Sequence, residues 1–409
     1  MGTQQQTNVL PHAHADLLTD AAYDYYGLRL ATCGLDQKIK IWKLDEATGT
    51  WSAEDEWKAH DAPIVKLSWA HPEHGSVIAS CSFDRTVKIW EERKHEPKAS
   101  SAVGRWGLRT TLTEARGSVR SVEFAPPYFG LKLATISTDM YLRTYECLEV
   151  HNLSSFTVLE ELDMSTVSSP LLTGQGTPTL TAASLEPASP SLGPQMHPSS
   201  SVTGIVLPAP GGPSPAANPS NVQMTRPGIG AREADGGWCL SWCKEKWWGE
   251  LIAVGSGTTG VLKIIEFPPN QHPITHLTLT QEPPTAKGAR PGKPLAITSV
   301  SWAPTCGRSY HLVATGSRDG LVRIWKLRSP KQVGAPGEDG QWIATLVAEF
   351  DDHGASVSRV EWNVTGTILS SAGDDGNVRL YKQAYGSVWR SVGRFSTEQA
   401  DDGDETMGE

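Results

Sequence analysis

Histidine, serine or threonine, and aspartate recur together along this chain, and these are the residue types of a nucleophilic triad. In one stretch His60 precedes Ser80 and Asp84, which would supply a base, a hydroxyl and a carboxylate for acyl transfer. An enzyme needs such a set once, whereas this set returns several times, each time with a closing aromatic residue. The repetition favours a buried hydrogen-bond network that specifies one turn geometry. We therefore predict a structural role and no enzymatic activity.

The copies of this set share a tight spacing. In five of them an Asp stands six residues before a closing Trp or Tyr and four residues after a Ser or Thr, and in three a His lies 22 to 24 residues before the Asp. The predicted network therefore comprises His14, Thr32, Asp36, Trp42, His60, Ser80, Asp84, Trp90, Thr135, Asp139, Tyr145, Thr315, Asp319, Trp325, His353, Ser371, Asp375 and Tyr381.

Each copy lies in a predicted β-hairpin. In Val77–Trp90 an apolar run, a polar turn and an alternating run follow one another, which is the period-2 pattern of half-buried strands. The plan recurs in Leu30–Trp42, Leu133–Tyr145, Leu312–Trp325, Ile368–Tyr381 and, without the Asp and the closing Trp, in Leu251–Ile265. This pattern resembles the WD-repeat family, whose repeats of about 40–45 residues each form one propeller blade. The predicted fold is an all-β, open, six-bladed WD-repeat β-propeller.

Composition divides the chain into five segments. Residues 1–11 are polar and predict a disordered N-terminus, residues 12–163 hold blades one to three, and residues 233–395 hold blades four to six. Residues 164–232 between them are rich in Pro, Ser and Thr. Such a composition cannot bury enough apolar surface to offset its ordering entropy, so it predicts a disordered insertion. Residues 396–409 form an acidic tail, also predicted to be disordered.

Charge and cysteine usage exclude several functional classes. A net charge of −9 argues against nucleic-acid binding through phosphate contacts, and no run approaches 18 apolar residues, which argues against membrane insertion. Cys239 and Cys243 are four residues apart, but on a strand that spacing separates them by about 13 Å. No zinc site, other metal site or cofactor-binding motif is predicted.

The number of blades leads to a prediction about partners. A propeller ring is commonly closed by a blade that joins strands from both ends of the chain, but each of these six units supplies its own four strands. Unpaired edges at blades one and six are an aggregation hazard unless they are covered, and strand addition from another protein would cover them. The residues predicted to meet an inserted blade are Leu17, Leu18, Ala21, Tyr23, Val357, Val360 and Trp362.

Residues beyond the hairpins narrow the family. The stretches His71–Glu92, Glu123–Glu146 and Arg359–Lys382 resemble the Seh-type nucleoporins, which are relatives of the outer propeller of the COPII vesicle coat. Gly307–Ala314 and the six unlatched blades favour the nucleoporin over the coat protein. The resemblance extends into loops and covers the chain outside the insertion and the two tails.

This resemblance implies a structural scaffold that an α-helical scaffold nucleoporin completes by donating a blade in trans. It further implies other subunits of the Y-shaped nuclear pore subcomplex as partners, a place at the nuclear envelope, and support of protein and mRNA transport. A second implied assembly is the SEA-type complex, which regulates TOR signalling at the vacuolar or lysosomal membrane surface. Two alternatives stay open: the COPII outer-coat propeller itself, and a WD-repeat adaptor or substrate receptor that binds peptides on its central face.

Overall fold

A computed structural model describes residues 10, 13–93, 105–149, 152–166, 236–280, 296–330 and 342–396 of the 409-residue chain. All of these residues belong to one compact unit, Met1–Pro170 together with Pro227–Glu409. A second unit, Leu171–Arg226, lies outside the described residues, as does most of the insertion predicted at 164–232. The part of the chain that is described contains no helix with the length and hydropathy that a membrane crossing needs.

The described residues form 24 strands, four in each blade, and short 3-10 turns. The strands of blades one to three are β1 Leu18–Tyr23, β2 Arg29–Gly34, β3 Lys38–Asp45, β4 Thr50–Lys58, β5 Ile64–Trp69, β6 Val77–Ser82, β7 Val87–Glu92, β8 Trp106–Leu112, β9 Val119–Phe124, β10 Lys132–Ser137, β11 Tyr141–Cys147 and β12 Phe156–Asp163. Those of blades four to six are β13 Gly237–Trp242, β14 Leu251–Gly257, β15 Val261–Glu266, β16 Ile274–Thr280, β17 Ile297–Trp302, β18 His311–Ser317, β19 Val322–Arg328, β20 Ile343–Phe350, β21 Val357–Trp362, β22 Ile368–Gly373, β23 Asn377–Gln383 and β24 Trp389–Ser396. The 3-10 turns are Pro72–His74, Pro127–Phe129, Lys246–Trp248 and Tyr385–Ser387.

Every blade is an antiparallel meander in which neighbouring strands follow one another in sequence. In blade two, Ile78 pairs with Trp90 and Ser80 with Lys88, so the residues that alternate in sequence lie on opposite faces of the sheet. Ala79, Val87 and Ile89 face blade three, while Ile78 and Trp90 face blade one. Both faces of a middle blade are therefore covered, which explains why its two central strands are almost wholly buried.

The blades form a propeller, and the predicted all-β six-bladed fold is confirmed. The innermost strands β1, β5, β9, β13, β17 and β21 pack in succession, and all six line a central cavity of about 640 Å³. Five apolar clusters fill the junctions between consecutive blades. This arrangement places the first strand of each blade at the axis and the fourth strand at the rim.

Candidate functional site

The predicted network is formed completely in blade two. The ring of His60 hydrogen-bonds to Asp84 through Nδ1 at 2.8 Å and to Ser80 Oγ through Nε2 at 2.8 Å, and Trp90 Nε1 donates to the same Oγ at 2.9 Å. Blade one repeats this chain of bonds with His14, Asp36, Thr32 and Trp42. In blade six, His353 bonds to Asp375 and Ser371, and Tyr381 takes the place of Trp.

The Asp of each network fixes the turn between the second and third strands. In all five copies its carboxylate accepts the backbone N–H two residues further on: Asp36 from Lys38, Asp84 from Thr86, Asp139 from Tyr141, Asp319 from Leu321 and Asp375 from Asn377. The residue between is left-handed, with φ of 66°, 68° and 69° at Gln37, Arg85 and Met140. Side-chain-bearing residues rarely adopt that conformation, so the Asp bonds stabilise a strained turn.

Hydrogen bonds also keep the Asp84 and Asp375 carboxylates ionised. Burial alone would raise the pKa of Asp84, but bonds from His60 and Thr86 outweigh it and hold that pKa well below the ordinary value. The pKa of Asp375 is lowered in the same way, against burial, by bonds from His353 and Arg379. Ser80, which bonds to both His60 and Trp90, is fully buried. His60, Ser80, Asp84 and Trp90 thus bond to one another within the blade, and we interpret the set as structural.

Blades three and five replace the imidazole by a guanidinium, which the sequence did not reveal. Arg143 is 1% exposed and contacts Asp139 at 2.9 Å, Glu161 at 2.7 Å and Ser137 Oγ at 3.0 Å. Arg323 occupies the equivalent place and contacts Asp319 at 3.3 Å and Glu349 at 2.7 Å. Because a guanidinium is always charged and presents a planar fork of donors, it can hold two carboxylates at once.

The aromatic member of the network also differs in these two blades. The Tyr145 hydroxyl in blade three donates to Glu114 at 3.2 Å. In blade five, Trp325 Nε1 is buried without a hydrogen-bond partner in the described part of the chain. Within its described residues, blade five therefore lacks the indole-to-hydroxyl bond that blades one and two share.

The paired cysteines of blade four lie in the core. Cys239 and Cys243 are both buried, and burial raises the pKa of each thiol to about 12. A metal ligand or nucleophile needs the thiolate, so neither residue is suited to that chemistry. Among the described residues, no three His, Cys, Asp or Glu side chains are grouped as a metal site would require.

Blade one has a face with no neighbouring blade, which we call the gap face of blade one and define by Leu18, Ala21 and Tyr23. Leu18 is 52% and Tyr23 60% exposed. The equivalents of Tyr23 in blades three to six, Phe124, Trp242, Trp302 and Trp362, are at most 7% exposed because they pack on the preceding blade. Leu17, just before β1, is also exposed. These four residues are the blade-one part of the predicted partner interface, and they lie at a surface that the chain itself leaves open.

The blade-six part of that prediction needs a correction. Val357, Val360 and Trp362 are buried against blade five, and Val360 N and Trp362 Nε1 donate to Ser299 Oγ and the Ser301 carbonyl. They occupy the same register positions as Leu18, Ala21 and Tyr23, so they lie on the same face of their own sheet. In blade six this face packs on blade five, so the free face of blade six is the opposite one. Blade one has no preceding blade, so there this face stays free.

The gap face of blade six therefore consists of Ile368, Val378, Leu380 and Phe395. All four are half-buried. Three of their blade-five equivalents, Leu312, Val322 and Ile324, are at most 2% exposed against blade six, while the equivalent of Phe395, Phe350, is also half-buried. Arg359 crosses from this blade to form an ion pair with Asp20 of blade one beside the central cavity. The two gap faces thus flank a cleft whose inner end is bridged by one ion pair.

Comparison with known proteins agrees with this architecture. The model for the WD domain, G-beta repeat, matches residues 4–43, 51–91, 289–326 and 339–382, which belong to blades one, two, five and six. Over 94% of its length the chain is 32% identical to Nucleoporin SEH1 of Saccharomyces cerevisiae, covering 98% of that protein. The chain belongs to the SEH1 nucleoporin family. The expected resemblance to Seh-type nucleoporins is confirmed.

Other SEH1 relatives also align over most of the chain. Nucleoporin seh1 of Schizosaccharomyces pombe is 31% identical over 97% of both chains, and human Nucleoporin SEH1 is 32% identical over 93% of this chain and 85% of the human protein. Because these alignments span nearly all of the chain, the SEH1 assignment applies to the whole propeller. It includes blade four, which lacks the turn Asp and lies outside the ranges matched by the repeat model.

Proposed function

We propose that this chain is a non-enzymatic scaffold subunit of the nuclear pore complex whose propeller is completed by a blade from another protein. The observation that carries the proposal is the pair of gap faces, since most apolar positions that are buried at the junction between blades five and six stay partly exposed here. Large exposed apolar surfaces on both sides of one cleft are typical of a protein-binding site. An inserted sheet would bury both faces and repeat the sheet-on-sheet packing of the other junctions.

The proposed donor is an α-helical scaffold nucleoporin, as the family resemblance implies. With it come the Y-shaped subcomplex, the nuclear envelope as location and support of protein and mRNA transport. The same propeller is also proposed to serve the SEA-type complex at the vacuolar or lysosomal surface. A nucleoporin role is supported by the SEH1 relatives on three grounds: their naming as nucleoporins, their identity above 30% and alignments that cover at least 93% of this chain.

Affinity purification of the tagged full chain, washed at high salt and analysed by mass spectrometry, tests the proposal. We expect an α-helical nucleoporin together with other Y-complex subunits. Recovery of COPII coat subunits instead would support the coat-propeller alternative, and recovery of ligase or signalling proteins alone would support the adaptor. Either of these results would overturn the nuclear pore proposal.

Two matched variants then locate the binding surface. Tyr23→Asp places a charge on the gap face of blade one, whereas Tyr128→Asp changes a tyrosine of similar exposure, 57% against 60%, on a blade-three loop. Burying an unpaired carboxylate is costly, so Tyr23→Asp should lose the nucleoporin while Tyr128→Asp keeps it. Equal recovery with both variants would contradict insertion between blades one and six.

A further inference from the structure

Backbone-to-side-chain hydrogen bonds join the innermost strands at all five junctions between consecutive blades, at two register positions. A backbone N–H on the innermost strand of the later blade donates to a side-chain oxygen on the innermost strand of the earlier blade. The pairs are Leu67 to Asp20 at 2.9 Å, Phe124 to Ser68 at 3.0 Å, Trp242 to Glu123 at 3.2 Å, Trp302 to Ser241 at 3.0 Å and Val360 to Ser299 at 3.1 Å. At the three junctions from blade two to blade five the acceptor lies at the Glu123 position, and at the other two junctions donor and acceptor both lie two residues earlier. Each bond satisfies a backbone donor that the meander leaves unpaired beside the central cavity.

The two carboxylates among these acceptors are each paired with a cationic side chain from another blade. Glu123 accepts the Trp242 N–H with Oε2 and binds Lys244 Nζ with Oε1, and the Trp242 indole N–H donates to the Glu123 carbonyl at 3.2 Å. Asp20, the other carboxylate, is paired with Arg359. A cation offsets the cost of partly burying each carboxylate at its junction.

Blade six repeats the sequence and the register of the Glu123 site. Val122-Glu123-Phe124 of β9 corresponds to Val360-Glu361-Trp362 of β21. Glu123 lies opposite Ala134 and Glu361 opposite Ser370, at the same place on the second strand. The Glu361 side chain is 59% exposed and is paired with Arg359 at 3.0 Å. It borders the central cavity on the side where a seventh blade would follow.

We propose that Glu361 is the acceptor for a backbone N–H on the innermost strand of the inserted blade. This inference rests on the proposed function, because it requires a blade in the gap. By analogy with Trp242 and Lys244, the donated strand carries an aromatic residue at the donating position and a Lys or Arg two residues later. The aromatic side chain covers the inner end of the gap face of blade six, and the cation pairs with the second oxygen of Glu361.

Three variants of the full chain test this assignment, each measured for binding to the α-helical nucleoporin recovered in the purification and expressed separately. Glu361→Leu removes the acceptor and should raise Kd about tenfold, the range of a charged hydrogen bond. Glu361→Gln keeps one acceptor oxygen and should lie between Glu361→Leu and the unchanged chain. Glu73→Leu, at a carboxylate of similar exposure on a blade-two loop, should leave Kd within about twofold.

The outcomes separate the two proposals. If the unchanged chain binds and Glu361→Leu binds within twofold of it, the role of Glu361 is wrong while blade insertion stands. If the unchanged chain does not bind the nucleoporin at all, blade insertion fails and the role of Glu361 fails with it. Thermal unfolding of each variant alone shows whether the fold is kept, which we expect because the carboxylate is largely exposed in the open ring. Raising the salt concentration should weaken binding of the unchanged chain more than that of Glu361→Leu.

Discussion

At the residue scale, His311 differs from the three histidines of the blade networks. Its ring is fully buried and lies between Trp248 and Trp302, with ring centroids 4.7 and 5.4 Å away. Neither ring nitrogen has a hydrogen-bond partner in the described part of the chain. Burial, with a smaller effect of the Arg308 charge, lowers the pKa of His311 to about 4. The native state therefore holds this ring in its neutral form.

This residue predicts a pH dependence of stability. The pKa of His311 is lower in the folded chain than the value of about 6.5 expected after unfolding. Its contribution is therefore fully present above pH 6.5 and is lost as the pH falls towards 4. Between pH 7.5 and pH 5, urea unfolding should show the unchanged chain losing about 2 kcal/mol more than His311→Leu.

The His311→Leu comparison isolates one group because the network carboxylates are the same in both chains. Leucine has a similar size and removes no hydrogen bond, so the variant should fold and be nearly as stable at pH 7.5. Equal pH dependence in the two chains would show that the ring gains a proton without cost, and the assignment would be wrong.

At the scale of the blade, two kinds of polar clamp hold equivalent turns. Blades one, two and six use a His held between the Asp and a hydroxyl, and in blade six the buried Arg379 pairs with Asp375 as well. Blades three and five use a buried Arg that reaches the Asp and a Glu of the fourth strand. The Arg clamp joins three strands of one sheet. The His clamp instead joins the segment before the first strand to the turn between the second and third.

The Arg clamp should be costly to remove. Arg143→Met leaves Asp139 and Glu161 without their cation and should lower the free energy of unfolding by about 3 kcal/mol or more, as breaking a buried pair does. Arg109→Met is a matched control, since Arg109 binds Glu91 at 2.6 Å but both side chains are partly exposed. Its cost should stay below about 1 kcal/mol. Similar losses for the two variants in urea unfolding would contradict a special role for the buried clamp.

The sequence predicted the hairpins because the Asp, the hydroxyl and the closing aromatic keep fixed spacings that only one turn geometry satisfies. It missed Arg143 and Arg323 because their position, four residues after the Asp, holds Lys40 and Lys88 in blades one and two. Whether a cationic side chain at that position turns inward depends on the residues that the fourth strand and the segment before the first strand place beside it. Spacing along one strand does not contain that information.

The same limit explains the error at blade six. The sequence predicted Val357, Val360 and Trp362 as one set, and the structure places them on one face because a β-bulge between Val357 and Arg359 shifts the register. Which face borders the gap depends on the order in which the blades pack. In blades two to six the residue at the register position of Trp362 faces the preceding blade. Blade one has no preceding blade, so only there does this position face the gap. Blade four could be predicted although it lacks the turn Asp, because the residues of its strands still alternate between the two faces.

At the scale of the whole molecule, the cleft between the gap faces distinguishes this propeller from a closed ring. Five junctions are filled by large apolar clusters, while Arg359 and Asp20 bridge the inner end of the sixth boundary. An ion pair buries little apolar surface, so the outer parts of Ile368, Leu380 and Phe395 remain in contact with water. The free chain therefore carries surface whose burial can drive association.

Leu380 and Ile324 test this difference, because they occupy the same register position in blades six and five. Ile324 is fully buried against blade six, so Ile324→Ala should cost about 2–5 kcal/mol of stability. Leu380 is only half-buried in the free chain, so Leu380→Ala should cost clearly less. An inserted blade would complete the burial of Leu380, and the alanine variant should then raise Kd for the α-helical nucleoporin roughly tenfold or more. If Leu380→Ala were as destabilising as Ile324→Ala and left binding unchanged, the cleft would not be the docking site.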